Sequence, residues 1–85
     1  MSVHLLMIQI AKEAERSEAF YGDFNSSHEA YAVMLEELDE VWEIVRKKSD
    51  KRDYEELKKE LVQVCAMGVR FIKSCCEKEG KGYGK

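Results

Sequence analysis

No proline occurs anywhere in the 85 residues, and before Gly80 the only glycines are Gly22 and Gly68. A chain so short of these residues lacks the punctuation that marks hairpins and β-turns, and nothing in it stops a long helix. Helices are therefore the default, and sheet-and-turn architectures are disfavoured. The chain is 45% hydrophobic and 36% charged, which separates it from disordered and from membrane-spanning sequences. Its core must be small, since domains of about 60 residues bury only some 60% of their unfolded surface. We read the chain as all-α, three helices with an antiparallel central pair, completing a four-helix-type core by oligomerisation.

The net charge of −3, from 14 basic and 17 acidic residues, gives no overall field to draw in nucleic acid or an anionic membrane. Met1–Ile10 is apolar but carries His4 and Gln9, with no Lys or Arg before it, and does not read as a signal peptide. No run approaches the roughly 18 apolar residues of a membrane span. The cysteines are Cys65 and the adjacent pair Cys75 and Cys76. Helix neighbours point about 100° apart and bridge poorly, so no disulfide framework is expected. These features predict a reduced, cytoplasmic protein with no membrane partner.

The first helix is expected from about Ser2 to Phe20, with Leu5, Ile8, Ala11 and Ala14 facing inward. Tyr21 to Asn25 supplies turn chemistry through Gly22, Asp23 and Asn25. Ser26 lies three residues before Glu29, the spacing of a capping box, and predicts a second helix over Ser27 to Lys48. There Tyr31, Met34, Leu38, Val41 and Val45 recur every three or four residues, the period of a buried stripe. Ser49-Asp50 breaks the pattern. A third helix follows over Asp53 to Cys76, its inward positions Tyr54, Leu57, Leu61, Val64, Cys65, Gly68, Phe71, Ile72 and Cys75. Gly68 costs helix propensity and reads as a point of close helix approach. One domain over 1–76 and a mobile charged, glycine-rich tail over 77–85 complete the organisation.

The carboxylates are placed unusually. With the second helix centred on Met34, Leu38, Val41 and Val45, Glu37 falls about 60° off centre and Glu40 a further 60° round. Like charges beside an apolar stripe need a proton or a cation to compensate them. In an antiparallel pair, Glu37 and Glu40 face Glu60 and Gln63 of the third helix across one groove. Hard oxygen ligands of this kind suit Mg²⁺ or Mn²⁺ rather than zinc. The competing reading is a solvated acidic face.

Glu36-Glu37-Leu38-Asp39-Glu40, followed by Glu60-Leu61-Val62-Gln63, resembles the Glu-Glu-x-x-Glu … Glu-x-x-Asp signature of the MazG-like, all-α nucleoside triphosphate pyrophosphatases. The resemblance runs from about Ser27 to Ile72, a little over half the chain. It implies a helical homodimer or homotetramer that hydrolyses a nucleoside or deoxynucleoside triphosphate to monophosphate and pyrophosphate with Mg²⁺. It further implies that Glu37, Glu40 and Glu60 bind the metal, with Glu36 supporting them or reaching a second ion. Gln63 departs from the pattern, standing where the family has Asp. Its neutral amide leaves three readings open: metal held through water, Glu56 as a substitute, or a degenerate site. The alternative function is accordingly a non-catalytic helical oligomerisation or interaction module.

Two cations are candidate phosphate contacts. Arg70 falls on the side of Gln63, two turns on, and reads equally as a surface arginine. Lys48 belongs to a basic cluster with Lys47, Lys51 and Arg52, which either steers a triphosphate or forms a solvated turn. That cluster is also the sole feature favouring nucleic acid, against an acidic overall balance. Tyr31 and Trp42 could stack on a base, but their helical spacing favours the core.

Overall fold

Each helix begins where a short polar side chain caps it. In the computed structural model, which describes residues 1–77, the Ser2 hydroxyl accepts the Leu5 N–H at 3.2 Å and starts α1, Val3–Tyr21. Ser26 accepts the Glu29 N–H at 3.0 Å and starts α2, Ser27–Val45. Asp53 accepts the Glu56 N–H at 3.0 Å and starts α3, Tyr54–Phe71. No strand occurs among the described residues. The capping box forms with one change, because the Glu29 carboxylate takes the backbone N–H of Asn25, at 2.8 Å, instead of that of the cap.

The second helix stops at Val45, short of the expected Lys48. Arg52 folds back and donates its Nε to the carbonyls of Val45 and Lys47, 3.1 Å each, supplying partners for carbonyls the helix end leaves open. A 3₁₀ turn, Ser49–Lys51, then leads to α3. At its other end α3 widens into a π-helical turn, Ile72–Cys76. Of the tail expected over 77–85, residues 78–85 lie outside the described residues.

The helices form one layer in the order α1, α3, α2: the third helix packs against both others, which scarcely touch each other. Arg70 reaches Ser17, and Lys73 reaches Glu18, so α1 and α3 advance together. Met34 lies beside Gly68, while Glu37 and Glu40 lie beside Glu60, so α2 and α3 run antiparallel. The link from α1 to α2 therefore crosses the C-terminal end of α3. It is fastened there by the Phe24 N–H to the Ser74 hydroxyl at 3.0 Å, and by Arg70 Nη2 to the Gly22 carbonyl at 2.9 Å. Gly22 turns the chain with φ 76° and ψ −163°, a conformation that needs the absence of Cβ.

A small-residue core sits where the three elements meet. Ala30 and Ala66 are fully buried, joined by Ala14, Phe24 and Met67, with Val33, Met34 and Phe71 packed on them. The expected stripe on α2 is corrected. Met34, Val41 and Val45 turn inward, but Tyr31 is 63% and Leu38 50% exposed, as are Leu35 and Trp42 in similar measure. The buried face instead follows Ala30, Glu37, Val41 and Ile44, rotated about 50° from the expected centre toward the acids. The cause is that α2 has a single neighbour, and one neighbour covers one strip. The same holds elsewhere. Leu5, Ile8, Tyr54, Leu61, Cys65 and Ile72, all expected inside, are exposed. Leu6, Ile10, Ala14 and Ser17 line the inner side of α1 instead.

Candidate metal centre

The rotation of α2 carries Glu37 from the edge of the buried strip onto it, against the wall of α3. Glu37 and Glu40, one turn apart, share a helix side. Glu60 meets them from α3. One carboxylate oxygen from each residue lies within 4.8 Å of the other two. Glu37 and Glu60 are half-buried, and Glu40 is exposed.

Ionised carboxylates only accept hydrogen bonds, so three together cannot satisfy one another. The Glu60 Oε2 atom is buried and has no hydrogen-bond partner. The cluster answers this by retaining a proton. The Glu60 carboxyl is pushed up to about 7, first by a hydrogen bond with Glu40 that favours the protonated form, then by burial and the charges of Glu40, Glu37 and Glu56. Glu37 is also raised, chiefly by burial and then by the charge of Glu40, while its hydrogen bond with Glu60 pulls the other way. A divalent cation would do the same work as the proton, and an all-oxygen anionic donor set fits Mg²⁺ or Mn²⁺. Glu37, Glu40 and Glu60 are the residues that would hold it.

The remaining expected residues divide. Gln63 is half-buried beside Glu37 and turns its side chain to Glu13 of α1. Glu36 is exposed, outside the convergent set, and acts on Glu37 through its charge. Glu56 lies one turn before Glu60, with Lys59 at 3.9 Å from its carboxylate. Lys48 sits in the α2–α3 link, about two turns beyond Glu40, and lines no part of the cleft described next.

Arg70 is neither of the two things expected of it at the surface. It is 5% exposed and holds the layer together, donating to the Ser17 hydroxyl and the Gly22 carbonyl, 2.9 Å each. Its guanidinium carbon lies 4.4 Å from the centre of the Phe24 ring and 5.8 Å from that of Tyr21. Its Nε is buried without a partner. Arg70 forms part of the wall of a cleft of about 410 Å³ that opens on the acid side of the layer. Tyr21, Phe24, Asn25 and Met67 line one end of that cleft, and Arg16, Gln63 and Glu37 the other.

Two features of the site had no mark in the sequence. Glu13 is held by a two-pronged contact from Arg16, which with Gln63 keeps its carboxyl below the usual range against the opposing effect of burial. Its charge reaches Glu37. Nothing in the spacing of Lys12, Glu13, Glu15 and Arg16 distinguishes it. The aromatic end of the cleft comes from the crossing link, which reads as an ordinary turn. Tyr31 and Trp42 take no part, since they lie about 170° around α2 from the cleft-lining Glu29, Val33 and Glu37. No protein-family model, curated protein or solved structure matches this chain.

Proposed function

We propose that the chain is a Mg²⁺-dependent nucleotide pyrophosphohydrolase of the MazG-like kind, converting a nucleoside or deoxynucleoside triphosphate to monophosphate and pyrophosphate. The convergence of Glu37, Glu40 and Glu60 from two helices carries this reading. Mg²⁺ or Mn²⁺, when bound, supplies Lewis-acid polarisation of phosphate oxygens and a water acidic enough to attack them. The chain's own residues provide the rest. Glu37 and Glu60 hold their oxygens in a partly desolvated crease, where charge acts more strongly than in water. The cleft beside them offers the Tyr21 and Phe24 rings to a nucleoside.

The oligomer belongs to the same proposal. Tyr31, Leu35, Leu38 and Trp42 on α2, with Tyr54, Leu61 and Ile72 on α3, leave the face opposite the acids apolar and uncovered. A second copy laid on that face completes a four-helix core, giving a homodimer or homotetramer. Three free cysteines are consistent with a reduced, cytoplasmic setting.

A screen of nucleoside and deoxynucleoside triphosphates with Mg²⁺, detecting pyrophosphate, tests the activity. Pyrophosphate release that Glu37→Gln and Glu60→Gln abolish is the expected result. Orthophosphate alone, or activity indifferent to both substitutions, contradicts it. Gln63 favours a second reading, a non-catalytic helical interaction module whose site has lost one acid. Under that reading the parent binds no divalent cation, and Gln63→Asp acquires affinity for one.

A further inference from the structure

A second depression, of about 450 Å³, lies in the crease between α1 and α3, and Lys12, Lys58 and Lys59 line it. It shares Arg16 and Gln63 with the aromatic cleft, so the two form one continuous trough on the acid side of the layer. The groove is the cationic part of a chain whose net charge is −3. Among the described residues, no carboxylate stands within ion-pair distance of Lys12 or Lys58, and Lys59 has Glu56 at a distant 3.9 Å. The Lys58 ammonium has the Met1 sulfur at 3.9 Å as its contact. The groove's carboxylate, Glu13, is already neutralised by Arg16. Several ammonium groups are thus gathered with little to offset their mutual repulsion.

Glu60 and Lys59 adjoin in sequence, but their side chains leave α3 about 100° apart. The acids consequently stand in the α2–α3 crease and the lysines in the α1–α3 crease. Gln63 lies between them, and its amide sets no negative charge in the way.

We propose that Lys12, Lys58 and Lys59 form a polyphosphate subsite that takes the terminal phosphates of a nucleoside triphosphate. This rests on the pyrophosphohydrolase reading and gives the substrate a polarity. The nucleoside lies toward Tyr21 and Phe24, the scissile α–β link lies at the acids, and the departing pyrophosphate lies on the lysines. Ammonium groups bind phosphate oxygens by charge-assisted hydrogen bonds that weaken with salt.

Metal-free tripolyphosphate in EDTA at low salt, followed by calorimetry, tests the subsite without any hydrolysis. The parent is expected to bind. The triple variant Lys12→Gln, Lys58→Gln, Lys59→Gln is expected to lose roughly tenfold or more, three exposed pairs each contributing a few-fold. A second triple, Lys47→Gln, Lys48→Gln, Lys51→Gln, removes the same charge at the α2–α3 link and is expected to keep parental affinity. Absence of binding by the parent, unchanged affinity in the groove triple, or equal losses in both triples overturns the proposal. Helical circular dichroism checks folding, and Lys12→Gln alone, with an expected few-fold loss, serves if the triple does not fold. Pyrophosphate release with Mg²⁺ is measured separately. Tripolyphosphate binding that depends on the groove, without pyrophosphate release, retains the subsite and removes the hydrolase reading.

Discussion

Glu60 holds a proton for which its neighbours and any bound cation compete. Its carboxyl titrates at an ordinary 4.5 when unfolded and at about 7 in the folded chain. Between those values the folded state binds more protons than the unfolded one. The stability gained from protonated Glu60 is therefore complete below about pH 4.5 and is lost as pH rises through 7. Glu60→Gln removes that loss. We expect the metal-free variant to be more stable than the parent at pH 8, by on the order of 1 kcal/mol once solvent screening of a partly exposed cluster is allowed for. The difference should shrink toward pH 5, and urea midpoints across that range would measure it. Mn²⁺ should raise the melting temperature of the parent more at pH 8 than at pH 6, because protons occupy the same oxygens. A pH-independent gap between parent and variant would contradict this account of the cluster.

At the level of the helices, the caps and the packing make separate demands. Asp53→Ala leaves the Glu56 N–H without its acceptor and should cost about 1 kcal/mol in chemical denaturation. Gly68→Ala should do the reverse. A Cβ at Gly68 would meet the Met34 Cε at 3.8 Å, an ordinary contact, so the close approach expected at this glycine is not what keeps it there. Alanine then gains its helix propensity, about 0.5–1 kcal/mol, at little steric cost. A destabilised Gly68→Ala protein would show that the layer has no room for a methyl group. The helix starts were legible because Ser26 and Asp53 act within one turn of themselves. The pairing of Glu37, Glu40 and Glu60 was legible because helical period and antiparallel packing are enough to bring them together. Which apolar residues are inside was not, since Tyr31 and Leu38 obey the same period as Met34 and Val41. Only the number of neighbours around α2 separates them. Glu13 and the Phe24 end of the cleft were hidden for a related reason: α1 and the link reach the site through contacts some fifty positions distant in the chain.

Taken whole, the molecule is a single layer with two unlike faces. One carries acids, lysines and the cleft; the other carries Tyr31, Leu35, Leu38, Trp42, Tyr54, Leu61 and Ile72. An apolar groove of about 510 Å³ between α1 and α3, lined by Leu6, Ile10, Tyr54 and Leu61, extends that second face. Area of this kind, left in water, promotes association. We expect sedimentation to give a dimer or tetramer for the parent and a smaller species for Leu38→Glu. The substitution places a charge about 100° or more from the acids around α2, so loss of assembly and loss of the site can be told apart. A parent that sediments as a monomer would leave the face without this role.

The link that crosses α3 imposes an order of events on synthesis. Both α1 and α2 leave the ribosome before Arg70 and Ser74 exist, so neither Gly22 nor Phe24 has anything to fasten to. Until then the two leading helices have scarcely any surface in common and no cleft between them. The site must close late, when the last turns of α3 emerge and draw three separate helices into register at once. Contacts across so much chain slow a folding transition relative to a bundle of sequential hairpins. The nascent protein thus spends its longest interval as two unjoined amphipathic helices, the period in which a chaperone has most to hold.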